Sequence, residues 1–228
     1  MSLYTFSTKS PVPPLKQLPG LHIEESTDIT LLSQMGGITK GEVVERLAND
    51  NLAFIAFLNG QPAAFGWMAR GRARIGELAH DFVLPLRNRY LWNFRTMAEF
   101  RGRGIYPLLL QCILQYEGAK AERFWIIHAP ENRSSSRGIQ KAGFRYLGKL
   151  YVRADGSAGF EAVSVSTEEK NIIADMDFHV SHEPAASCWN CSSPYLKNRR
   201  EECCCSEAGE ICSSKRKASE LVSATSFF

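Results

Sequence analysis

The chain has 228 residues, 44% of them hydrophobic with 13 Phe and 4 Trp, enough to bury a sizeable core in one domain with an appendage. A net charge of +3 argues against nucleic acid as the main partner, and no apolar run reaches the ~20 residues of a membrane span. The first twenty residues hold no apolar signal segment, and Cys112 is the one cysteine before residue 188, so a soluble, cytoplasmic, reduced protein is expected.

Residues 1–20, with Pro11, Pro13, Pro14 and Pro19, read as a Pro-rich extended arm. Leu21–Glu25 alternates as a strand would, and Ser26, Thr27 or Asp28 can cap a helix running to Met35 and stopped by Gly36-Gly37. Thr39 opens a second helix closed by Asn49-Asp50-Asn51. Strands over 52–58 and 62–70 are joined by Asn59-Gly60, a strong hairpin dipeptide. Residues 73–84 read as a third strand broken near Ala79-His80-Asp81, and residues 89–97 as a fourth with aromatic alternation at Tyr90, Trp92 and Phe94.

Next comes a turn, Arg101-Gly102-Arg103-Gly104, and then a helix from Ile105 with Leu108, Leu109, Cys112, Ile113 and Tyr116 on one face. Pro107 suits its first turn, and Gly118 its end. A strand, a Gly-rich basic turn and a helix start form an anion cradle, most naturally for a pyrophosphate. Phe124–Ile127 is continuously apolar, as in a central strand, and the strand–helix–strand order predicts parallel pairing across this unit. A short helix over 132–143 precedes strands at 144–153 and 160–166.

The turn Arg101-Gly102-Arg103-Gly104-Ile105 resembles the coenzyme A signature of the GNAT acyltransferase superfamily, Gln/Arg-x-x-Gly-x-Gly/Ala, with Tyr106 standing where Gly or Ala is usual. Asn132-Arg-Ser-Ser135, followed by a helix and Gly143-Phe144, resembles the second signature, and the element order is also similar. The resemblance implies an α+β fold over roughly residues 21–167: a GNAT-like mixed sheet, helices on both faces, and a parallel strand pair splayed around coenzyme A. It implies acetyl-coenzyme A as cosubstrate and an amine as acceptor, joined in a direct ternary complex. Backbone groups at Thr96, Met97 and Ala98 would hold the pantetheine arm. Arg101, Gly102, Arg103, Gly104, Ile105, Tyr106 and Pro107 would hold the pyrophosphate, with no N–H from Pro107, and Asn132 and Ser135 would touch the far side of the cofactor.

Acyl transfer from a thioester needs a base for the amine and a proton for the departing thiolate. The tyrosine that many members use as acid falls seven residues after the motif asparagine, and here that position is Ile139. Tyr106, Tyr146 and Tyr151 stand as replacements, none favoured by spacing. Base candidates are Glu77, His80, Asp81 and His128, with Glu77 and His128 preferred. The alternative is a non-catalytic acyl-coenzyme A binding or regulatory module.

From 168 onward the composition changes. His179, His182, Cys188, Cys191, Cys203, Cys204, Cys205 and Cys212 fall within 34 residues. Cys188-Trp-Asn-Cys191 has the spacing of a zinc knuckle, and Cys203 and Cys212 could complete four ligands. Residues 168–228 therefore read as a Cys/His-rich tail, a zinc module or a disordered segment, that could dock a partner.

Overall fold

The computed structural model describes residues 1–129, 132–153 and 155–182. In chain order the elements are β1 (Ser2–Ser7), β2 (Leu21–Ser26), α1 (Ile29–Gly36), α2 (Lys40–Ala48), β3 (Asn51–Leu58), β4 (Gln61–Ala69), β5 (Arg72–Ile75), β6 (His80–Val83), β7 (Asn88–Thr96), α3 (Ile105–Glu117), β8 (Arg123–His128), α4 (Arg133–Lys141), β9 (Arg145–Val152), β10 (Ala158–Ala162), α5 (Thr167–Asp175) and β11 (His179–Ser181). They divide into two units: a larger one of Ser2–Ala73 and Phe82–Leu147, and a smaller one of Met1, Arg74–Asp81 and the chain from Gly148.

Local chemistry accounts for most boundaries. Asp28 caps α1 by accepting from the Leu31 N–H at 2.9 Å, and Gly37, at φ 65°, ends it. Thr39 and Glu42 form a reciprocal capping box on α2. Asn59 and Gly60 both take positive φ, 51° and 79°, as a two-residue hairpin turn requires.

In the larger unit the strand order is β1-β8-β7-β4-β3-β2. Every neighbouring pair is antiparallel except β7–β8, which is the parallel pair expected across α3. Alternate residues of the strands feed two cores. Ala53, Ile55, Phe65 and Trp67 pack with Leu32, Met35 and Val43 of α1 and α2. Phe54, Ala56, Met68, Leu91, Phe124 and Ile126 pack with Ile105, Leu109 and Ile113 of α3 and Ile139 of α4. Helices thus cover both faces of this sheet. At the end of α3, the fully buried Glu117 accepts from Arg89 Nε at 2.8 Å and from the Arg70 guanidinium. Burial opposes its ionisation, but the hydrogen bonds from Arg89 and Arg70 outweigh that and hold its carboxyl below the ordinary value.

One expectation is corrected at the amino end. Residues 2–7 are not part of an extended arm: they form β1, antiparallel to β8 from Ser2↔His128 to Ser7↔Arg123. The strand ends at Ser7, before the first proline, and Leu3, Tyr4, Thr5 and Phe6 are all buried, so the folded unit starts well before residue 21. Farther along, the break expected in the 73–84 strand is a chain reversal that makes a two-stranded ribbon of β5 and β6, joined by a 3-10 turn at Gly76–Leu78. Ala79, at φ 49°, reverses the chain there.

In the smaller unit β9 and β10 form an antiparallel hairpin, Val152↔Ala158 to Gly148↔Ala162, and β11 adds parallel to β10 at Gly159↔His179. Ser166 and Glu169 close a capping box on α5, whose Ile173 is buried, as are the following Met176 and Phe178. The tail expected to begin at 168 is therefore ordered structure through 182, because these three apolar side chains have a core to enter. The candidate zinc ligands Cys188, Cys191, Cys203 and Cys212 lie outside the described residues. Among those described, no cluster of three His, Cys, Asp or Glu side chains could hold a metal ion, and no helix is long and apolar enough to cross a membrane.

Candidate functional site

The β7–β8 ladder runs only from Asn88↔Arg123 to Leu91↔Ile126. Beyond it, Trp92–Thr96 stays with β4 while Ile127 and His128 stay with β1, so the parallel pair opens. The parting coincides with a bulge in β7. Asn93 sits at φ 52°, and the register with β4 shifts between Phe65 and Trp67. Gly66 lies in the middle of that shift, with the Phe94 ring where a Cβ would be: a built Cβ would stand 2.0 Å from it. Only glycine lets the ring cross the strand there.

Past β7 comes a 3-10 turn, Ala98–Phe100, and then the Arg-Gly turn. Gly102 and Gly104 take φ of 77° and 81° and face open space, with no atom within 4 Å of a built Cβ. Among the described residues, the backbone N–H groups of Gly102, Arg103, Gly104, Ile105 and Tyr106 have no backbone acceptor. Five adjacent donors at the start of a thirteen-residue helix form an anion cradle in which the helix dipole and the N–H groups act together. The arginines brace it. Arg101 Nε donates to the Thr96 carbonyl at 3.2 Å, and Arg103 Nη2 to the Glu99 carbonyl at 3.0 Å, with its guanidinium 5.5 Å from the Phe100 ring centre. Of the backbone groups at 96–98, the Met97 N–H is already spent on the Ala63 carbonyl at 2.9 Å. The N–H group of Ala98 makes no such bond.

Tyr106, the departure from the Gly/Ala position, turns its ring away from the cradle. It lies against Phe94, centroids 5.5 Å apart, and in the space left by Gly138 of α4, where a built Cβ would stand 2.4 Å from it. Burial pushes its hydroxyl pKa up, opposed only by the Ser135 Oγ contact at 3.5 Å, which makes it a poor proton donor. Asn132 is the cap of α4: its Oδ1 accepts from the Ser135 N–H at 3.0 Å and from Ser134 Oγ at 2.9 Å. Ile139 is fully buried in the α3 core and offers no proton.

His128 ends β8 and is buried. Its Nδ1 lies 2.6 Å from the Ala129 carbonyl, which can only accept, so Nδ1 carries the proton and Nε2 is the acceptor. Nε2 faces the Tyr4 hydroxyl at 3.4 Å, and that hydroxyl lies 2.9 Å from Ser136 Oγ. With the ring neutral, Tyr4 can donate to Nε2 and Ser136 to Tyr4. These three, with Ser2, Arg133 and Arg137, line a pocket of about 280 Å³ in the larger unit. Tyr4, Ser136 and the two arginines escaped the sequence reading. The one signal was the aromatic, β-branched run Leu3-Tyr4-Thr5-Phe6, overshadowed by the prolines after it.

The other base candidates lie in the smaller unit. Glu77 is half-buried on the 3-10 turn. His80 donates Nε2–H to the Met176 carbonyl at 2.8 Å and packs on Phe178, and Asp81 is paired with Arg74 at 2.8 Å. His80 and Asp81 are thus engaged in structural contacts. Of the candidate acids, Tyr146 packs edge-on against Tyr4, and Tyr151 covers Gly159, where a built Cβ would stand 2.6 Å from its ring.

No protein-family model matches the chain, and no curated protein resembles it in sequence. Solved structures similar to it include a GNAT-family acetyltransferase from Novosphingobium aromaticivorans DSM 12444, 19% identical over 63% of this chain with a TM-score of 0.45. A GCN5-related N-acetyltransferase from Kribbella flavida is 13% identical over 63% of the chain, TM-score 0.44. The chain spans 59% and 53% of the lengths of these two. A GNAT-family acetyltransferase from Elizabethkingia anophelis with acetyl-CoA bound is 14% identical over 58% of this chain and 80% of its own, TM-score 0.44.

Proposed function

We propose that the chain is an N-acyltransferase that moves an acetyl group from acetyl-coenzyme A to a primary amine, with both substrates bound at the open end of β7 and β8. The observation that carries this reading is the juxtaposition of the parted parallel strands with the row of five N–H donors from Gly102 to Tyr106. The residues fit the cosubstrate: the glycines leave the cradle open on the side a pyrophosphate would occupy, and the Ala98 N–H group is left for an amide-bearing arm. Arg101 and Arg103 add positive charge beside the cradle while bracing it.

Bound there, the thioester supplies an activated acyl carbon and a thiolate leaving group. The reaction forms one C–N bond, breaks one C–S bond, takes a proton from the amine and returns one to sulfur. His128 is the residue for both transfers. Its Nε2 is the acceptor end of the Ser136–Tyr4–His128 chain, so a proton entering at a hydroxyl ends on the imidazole. The charged ring can then give the proton back along the same hydroxyls, reversed in polarity, which supplies the donor that Ile139 lacks.

The buried Ile139 also favours a second reading, a module that binds acyl-coenzyme A without turning it over. Calorimetry with acetyl-coenzyme A, followed by thiol release over amine classes, separates the two. Gly104→Asp sets a carboxylate against the cradle, and it should weaken acetyl-coenzyme A binding by at least about tenfold, the scale of one charge-assisted contact. Equal affinity in that variant would overturn the cofactor site. Tight binding with no thiol release from any amine would select the second reading.

A further inference from the structure

The cradle and the parted strands leave the acceptor unspecified, but the pocket beside them is chemically one-sided. Arg133 and Arg137 stand one turn apart on α4, and among the described residues neither is paired with a carboxylate. Arg70, Arg74, Arg87, Arg89 and Arg153 each hold one. Like charges at this spacing repel unless something neutralises them. Facing them are the hydroxyls of Tyr4 and Ser136 and the buried His128 ring. No carboxylate lines the pocket among the described residues. Two fork-shaped cations and two hydroxyls around about 280 Å³ match an oxyanion on a small molecule.

We infer that this pocket takes the carboxylate of the acceptor, so that the acceptor is an amine that also carries an acid, of the α-amino acid class. The inference rests on the transferase reading above. It also fits the proton chain. In an α-amino acid the nitrogen sits two bonds from the carboxyl carbon, so a carboxylate held by Arg133 and Arg137 brings the amine within reach of Tyr4 and His128. Polyamines and aminoglycosides, which carry no acid, would find two like charges in their place.

The test compares matched pairs, an amino acid and its decarboxylated amine: phenylalanine with phenethylamine, and histidine with histamine. Thiol release should give a higher kcat/KM for the acid of each pair. In the Arg133→Gln, Arg137→Gln double variant, the ratio of acid to amine should fall toward one, by about tenfold or more, through KM. Calorimetry on the same variant should return the wild-type affinity for acetyl-coenzyme A. Weaker acetyl-coenzyme A binding would mean that the arginines serve its phosphates, and the inference fails. It fails equally if the decarboxylated amines are the better substrates, or if the ratio survives the double variant. Should no amine be acylated, the transferase reading falls by itself. Calorimetric titration of the wild type with phenylalanine, phenethylamine and inorganic phosphate then still decides the pocket: binding of phenylalanine alone supports a carboxylate site, while binding of phosphate alone or of neither acid overturns it.

Discussion

A histidine ending an apolar strand can be a buried structural group or a working base, and its neighbours choose. The Ala129 carbonyl fixes the proton on Nδ1 of His128, leaving Nε2 to accept from Tyr4. His80 shows the opposite outcome, with Nε2 donating to the Met176 carbonyl. His128→Asn should therefore lower turnover while leaving acetyl-coenzyme A affinity intact. In the wild type, activity should fall as decreasing pH protonates the imidazole, which shares its pocket with the described groups Tyr4, Ser136, Arg133 and Arg137. The variant should lose that acidic limb. A limb that persists in His128→Asn would assign the base elsewhere, with Glu77 the next residue to test.

At the scale of the element, α3 joins two tasks. Its first turn completes the N–H row begun by the Arg-Gly turn, and its last carries Glu117 into the grip of Arg70 and Arg89. Removing one partner of such a buried group strands the other charges, at a cost on the order of 3 kcal/mol. Glu117→Ala should show that loss in urea midpoints at neutral pH. Because the folded-state pKa is held below the ordinary 4.5, the ion pair's stabilisation is complete above that value and is lost as pH falls through the lower, folded one. The wild type should thus lose its advantage over Glu117→Gln progressively as the pH falls below 4.5. An unchanging difference between the two at every pH would show that the carboxylate does no electrostatic work.

For the whole molecule, the consequence of β11 and α5 being ordered is that the domain does not end at 167. Ile173, Met176 and Phe178 are each at most 4% exposed. Burying such side chains contributes roughly 2 kcal/mol apiece. A chain cut after residue 167 should be several kcal/mol less stable than one cut after 182, or should fail to fold. Equal melting temperatures for the two would contradict the packing. Comparing the metal content of the full chain with that of residues 1–182, both prepared under reducing conditions, tests the proposal that Cys188, Cys191, Cys203 and Cys212 hold zinc.

The sequence by itself determined the features whose physics is local. Thr39 marks a helix start, as does the run Ser26-Thr27-Asp28 from which the structure selects Asp28, because a side-chain oxygen satisfies an N–H group three residues on. Asn59-Gly60 marks a hairpin because both residues tolerate positive φ, and Gly102 with Gly104 marks the cradle for the same reason. The parallel pairing of β7 and β8 followed from the handedness of a strand–helix–strand unit. Only the tertiary structure decided the place of β1. Its middle four residues are buried on both faces, so they carry no alternation to read, and its partner lies more than a hundred residues away. That pairing brings Ser2 and Tyr4 to His128 and α4, and with it come the hydroxyl chain and the arginine pocket. The parting of β7 from β8 was likewise a matter of packing, set where Phe94 crosses Gly66 and where Tyr106 fills the space over Gly138. Caps and turns satisfy groups a few residues apart, whereas a pocket is built from whichever side chains the sheet order makes neighbours.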